Sequence, residues 1–187
     1  PDNGGDALQL LEEFRLAWKN NWPASGEAAH LLASGLNSGG VSYLDALADQ
    51  NWAFSVSTYI QGNLDWSNFP FNSSPFNWDF IVVTHELGHI FNADHTHDYC
   101  PPFDECAPPP LGICQTQTDC SRKGTILSYC HTCPGGTNKI KPVFEPYITN
   151  EMREAASRNL SVMEIEPGET LRFSVTYDPT NTGDTSV

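Results

Sequence analysis

The chain has 187 residues, of which 39% are hydrophobic and 11% aromatic, so it is too apolar for a disordered segment and long enough to bury a core. Nine basic residues against 23 acidic ones give a formal charge of -14, which argues against nucleic acid or an anionic membrane as a partner. No apolar run approaches the roughly 18 residues of a membrane span, and the reading is one globular domain with a short appendage.

Residues 6–20 read as an amphipathic helix. Asp6 stands ready to cap it, and Leu8, Leu11, Phe14 (or Leu10) and Trp18 recur at three- and four-residue intervals. Asn20-Asn21-Trp22-Pro23 ends it. Short strands are expected at 30–33, at 41–44 after Gly39-Gly40, and at 53–57. After an irregular stretch from Pro70 to Pro75, Asp79 opens an apolar helix that runs through Phe91. A further helix is expected from about residue 150 to 160, with Met152, Ala155, Ala156 and Leu160 on one side. From Ser161 the pattern changes to strand-like alternation around Pro167-Gly168. The expected organisation is therefore a domain over 1–160, with 161–187 as the start of a C-terminal β-rich module or a linker. The polar, turn-like opening Pro1-Asp2-Asn3-Gly4-Gly5 carries no signal-peptide pattern and reads as the start of a processed or excised segment.

All six cysteines fall in one window, at Cys100, Cys106, Cys114, Cys120, Cys130 and Cys133. That window is rich in Pro and Gly and poor in periodic apolar residues, so it cannot build a core of its own. An even number of cysteines in such a stretch reads as disulfides formed in an oxidising compartment, with the pairing left open. The rival is a zinc knuckle on Cys130-x-x-Cys133, but no second tight Cys/His pair completes it. Sequons at Asn72 and Asn159 are candidate glycan acceptors in a secreted chain.

His85-Glu86-Leu87-Gly88-His89 lies within the apolar helix. Residues four apart share a helix face, so the two imidazoles converge, and neutral imidazole is a zinc ligand. Glu86 can then serve as general base toward a zinc-activated water. His95 follows six residues after His89, and on a continuous helix it would point away. It joins the other two only if the chain turns sharply near position 92, in a left-handed conformation that Asn adopts best after Gly; Asn92 stands there. Three His ligands leave a coordination position open, which is a catalytic arrangement.

His85-Glu86-x-x-His89-x-x-Asn92-x-x-His95 resembles the extended metzincin zinc motif, with Asn in place of the usual Gly. Downstream, Gly124-Thr125-Ile126-Leu127-Ser128-Tyr129-Cys130 resembles the Met-turn of the reprolysin-like (adamalysin-related) group. Leu127 occupies the Met position, and neither Met152 nor Met163 is near it in sequence. The resemblance covers most of residues 6–160 and implies an α+β zinc protease domain with an active-site helix and a cysteine-rich lower subdomain. The family has further strands and a helix before the helix that begins near Asp6, and these are not in this sequence, so the 1–160 domain is expected to be incomplete at its N-terminus, lacking its N-terminal strands. The 30–33 and 41–44 strands are similar to the pair above the cleft in this group, so Val41, Ser42, Tyr43 and Leu44 are expected to bind substrate backbone. Tyr129, by likeness to astacins and serralysins, is expected to support the transition state.

The implied activity is that of a secreted endopeptidase: Zn²⁺ held by His85, His89 and His95, Glu86 as general base, and a peptide or protein as substrate. The competing class is a non-catalytic metzincin-fold binding module of an extracellular assembly. The remaining histidines have blander readings, His30 as a strand residue and His97 and His131 as neighbours of the motif. Asp94 and Asp98 are candidates to orient the ligand imidazoles. Residues 131–138 form the expected wall that sets cleavage specificity.

Overall fold

A computed structural model describes residues 6–22, 26–36, 39–62, 78–109 and 112–160. The expected C-terminal module, Met163 and the Asn72 sequon lie outside the described residues. Helix α1 spans Ala7–Trp18, with the Asp6 carboxylate accepting from the Leu8 amide at 2.9 Å. Its buried face is Ala7, Leu10 and Leu11 with Phe14 packed beside them, an i, i+3, i+4, i+7 stripe. Leu8 and Trp18, expected on that face, are about half exposed, because the stripe sits one position round the helix.

Three strands form one mixed sheet in the order β1-β3-β2. Strand β1 (Ala29–Leu32) runs parallel to β3 (Phe54–Ser57), and β2 (Gly40–Ser42) runs antiparallel to it, with Val41 opposite Val56. The first two strands are thus not neighbours: the third inserts between them, and no hairpin joins them. Strand β2 is also shorter than expected, since Tyr43 and Leu44 lie past its end. All four β3 residues are buried, with α1 and α2 both lying against the strand. Phe54 and Val56 meet Leu10 and Leu11 of α1. Period-two alternation turns Ser55 and Ser57 to the opposite face, where their hydroxyls hydrogen-bond both ring nitrogens of His30, at 2.6 and 2.9 Å.

Helix α2 spans Trp78–Ile90. Its start is tied to the loop after β3: the Asp79 carboxylate accepts from the amides of Gln61 and Gly62, the latter at 2.7 Å. At its end the carbonyls of His89 and Ile90 accept from the amides of Asp45, Ala46 and Leu47. The segment leaving β2 therefore satisfies the helix C-terminus.

Three disulfides, Cys100–Cys114, Cys106–Cys130 and Cys120–Cys133, staple the segment below the helix, so Cys130 and Cys133 go to different partners and form no zinc knuckle. Helix α3 (Pro146–Asn159) begins earlier than expected, with Pro146 in its first turn, where its missing N–H costs nothing. It buries Ile148 and Ala155.

Candidate active site

The site is assembled by the way α2 ends. Asn92 has φ +67°. The Ala93 amide donates to the Gly88 carbonyl at 3.1 Å, and the Asn92 amide to the His89 carbonyl at 3.0 Å. This is a Schellman motif with Asn in the left-handed position, and it folds the chain back under the helix. The turn brings His95 beside the two helical imidazoles: its ring centroid is 5.1 Å from that of His85 and 4.6 Å from that of His89. One ring nitrogen from each of the three lies within 4.8 Å of the others.

Each imidazole is oriented through its Nδ1–H. His85 donates to the Ile126 carbonyl at 2.8 Å, His89 to the Ala93 carbonyl at 2.6 Å, and His95 to Asp98 Oδ2 at 3.2 Å. Those bonds leave the three Nε2 lone pairs free to converge. Burial holds all three rings in the neutral form: His85 falls well below its ordinary value, helped by the adjoining imidazoles, His89 falls as well, and His95 drops to about 3. Three neutral imidazoles with fixed tautomers fit a divalent transition cation such as zinc.

Glu86 lies one position along the helix and is 4% exposed, with its Oε2 buried and without a hydrogen-bond partner. Burial alone raises its pKa to about 8. An unpartnered carboxyl oxygen thus sits beside three converging imidazoles, an arrangement typical of a functional site.

Tyr129 packs over the same cluster, 4.6 Å from His95 and 6.2 Å from His85 between ring centroids. Burial and the nearby Glu86 and Asp98 charges raise its pKa, so the phenol keeps its proton. Leu127 is fully buried with Ala93 and Ile148, against the Gly88 turn of α2. Met152 of α3 packs on this same cluster. A methionine therefore does reach the Leu127 environment, which sequence distance had not suggested.

A cleft of about 200 Å³ opens beside Glu86. Gly39 and Gly40 border it on the sheet side, Trp78 and Ile81 belong to the helix, and Pro108 and His131 come from the stapled segment. Of the residues expected to meet substrate, Val41 and Tyr43 pack into the core, and the Tyr43 hydroxyl donates to Glu12 of α1. What β2 offers is its backbone edge, which no strand covers among the described residues.

Gly40 escaped the sequence reading. A Cβ there would overlap Cγ, Cδ and Oε1 of Glu86. The carbonyls of Ile126 and Ala93 were equally invisible, since backbone acceptors leave no mark in residue identity. Of the two candidate aspartates, Asp98 accepts from His95 Nδ1 at 3.2 Å. Asp94 makes no hydrogen bond to a ligand imidazole.

Residues 1–140 match a reprolysin-type family model described as Metallo-peptidase family M12. No curated protein matches the chain.

Proposed function

The chain belongs to metallopeptidase family M12, and from that premise we propose that it is a secreted, zinc-dependent endopeptidase with Glu86 as its general base. The observation that carries this reading is the convergence of three neutral, Nδ1-anchored imidazoles beside a buried carboxyl whose Oε2 has no partner.

His85, His89 and His95 would hold the ion through Nε2. Zinc bound there supplies Lewis acidity, which polarises the scissile carbonyl and makes water acidic enough to ionise near neutral pH. Glu86 takes a proton from the attacking water and returns it to the departing amine. Tyr129, protonated and beside His95, donates a hydrogen bond to the oxygen on which negative charge develops. The substrate backbone extends along the free edge of β2 as a further strand, so recognition there is by main-chain hydrogen bonds. Three disulfides support export to an oxidising compartment, and the exposed Asn159 at the end of α3 supports a glycan acceptor.

The test is zinc content and peptide hydrolysis of the chain beside its Glu86→Gln variant. The expected result is tight zinc uptake by both, with hydrolysis by the variant reduced about 10²–10⁴-fold. Tight zinc without hydrolysis of a diverse peptide library would favour a non-catalytic binding module. Absence of tight metal would overturn the reading.

A further inference from the structure

Just beyond His95 the chain gathers a second set of donors. His97 is 7% exposed, and its Nδ1 is buried with no hydrogen-bond partner. Its Nε2 stands 3.8 Å from Asp98 Oδ1, beyond hydrogen-bonding range. The other carboxylate oxygen, Oδ2, lies 3.2 Å from His95 Nδ1. One donor atom from each of His95, His97 and Asp98 falls within 4.8 Å of the others. Gly112 seals the flank of this group, since a Cβ there would strike the His97 carbonyl and Asp98 Oδ1.

A buried imidazole nitrogen without a partner is costly, and the other nitrogen of this ring faces a carboxylate that already contacts a second imidazole. Ligand atoms around a tetrahedral ion with bonds near 2.0–2.1 Å stand roughly 3.3 Å apart. The separations of 3.2 Å to Asp98 Oδ2 and 3.8 Å to Asp98 Oδ1 bracket that spacing, and the three donors lie within 4.8 Å of one another. Two imidazole nitrogens and one carboxylate oxygen suit zinc or a neighbouring transition ion and not calcium or magnesium, which prefer oxygen.

We propose that His95, His97 and Asp98 form a second, regulatory site for a divalent transition cation, with His95 shared between the two sites. His95 turns Nδ1 toward Asp98, which leaves Nε2 for the site shared with His85 and His89. The entering ion takes the place of the proton that His95 donates to Asp98, and that proton leaves to solvent. Tyr129 packs on both His95 and His97, at 4.6 and 4.8 Å, so filling the second site disturbs the ring packing beside the cleft. Excess zinc is expected to slow hydrolysis.

The inference goes beyond the proposed function and shares His95, its partner Asp98 and the neighbouring Tyr129 with it. The full chain, its His97→Gln variant and its His97→Phe variant are dialysed against graded free zinc, and the bound metal is counted by atomic emission. The expected result is two zinc ions per wild-type chain, one tight and one weaker, and loss of the weaker ion in both variants. Retention of the tight ion by the variants is the internal check on their folding. Saturation of the wild type at one ion overturns this inference and leaves the proposed function standing, as does a second ion that persists in both variants. Absence of the tight ion from the wild type counts against the proposed function instead.

Discussion

The carboxyl group of Glu86 lies against Gly40 so closely that position 40 has no room for a Cβ. Gly40 opens β2, the edge strand, so the same residue limits the approach of the sheet to the helix and lines the cleft. In the proposed reaction, Gly40→Ala pushes Glu86 out of line. Misplacement of a catalytic group by about 1 Å costs on the order of 10²-fold, so kcat/KM should fall by at least that much while tight zinc uptake persists. An unchanged kcat/KM for this variant would show that the contact has no bearing on catalysis.

The turn at Asn92 makes a second prediction. Its φ of +67° is strained for a β-branched residue, so Asn92→Val should destabilise the fold by about 1–2 kcal/mol, and Asn92→Gly should be neutral or stabilising. Urea unfolding measures both. Because the turn carries Ala93 and His95 to His85 and His89, the proposed zinc affinity should fall with stability in the valine variant alone.

Leu127→Met should be tolerated. The side chain is fully buried among Ala93 and Ile148, with Met152 beside it, and a swap of similar volume costs less than about 1.5 kcal/mol. Leu127→Ala leaves a cavity beneath Gly88 and should cost about 2–5 kcal/mol. Denaturant midpoints separate the two, and a methionine variant as damaged as the alanine one would refute a purely packing role.

His30 predicts a pH dependence of stability. Burial lowers its folded pKa to about 4 from an ordinary 6.5. Above pH 6.5 the ring is neutral in both folded and unfolded chains and contributes nothing to the slope. As pH falls from 6.5 toward 4 the unfolded chain binds a proton that the folded chain does not, so stability declines, by about 3 kcal/mol over the whole window. Below 4 both states are protonated and the loss is complete. Unfolding free energies of wild type and His30→Gln, compared at pH 7 and pH 4.5, should differ in slope, with the variant flatter. Parallel curves would assign the acid sensitivity to other groups.

What could be read in advance was local. The spacing of His85, Glu86 and His89 follows from helical geometry, and the turn that recruits His95 follows from the rarity of residues that accept a positive φ. The helix at Ala7–Trp18 was readable from its periodicity, although its buried stripe was placed one position off. What escaped depends on distant parts of the chain meeting. Nothing local to residues 30–33 and 41–44 says that 54–57 will lie between them. Gly40 is an ordinary loop glycine until Glu86 is known to rest upon it. The backbone carbonyls that hold His85 and His89 carry no side-chain signature, and six cysteines in one window do not declare their partners.

The three disulfides have a mechanical consequence. Every one joins residues between Cys100 and Cys133, the stretch that also supplies Pro108, Tyr129, His131 and Thr132 to the cleft. The opposite border, Gly39 and Gly40, has no covalent tie and is held by hydrogen bonds from β2 to β3 and from Thr58 to the Gly39 carbonyl, with Val41 and Tyr43 packed on the core. The cleft thus has one border closed by covalent bonds and one held by hydrogen bonds and packing alone. In the proposed reaction, a bulky peptide would gain room more readily at the second border, and any shift of Gly40 there would be felt by Glu86.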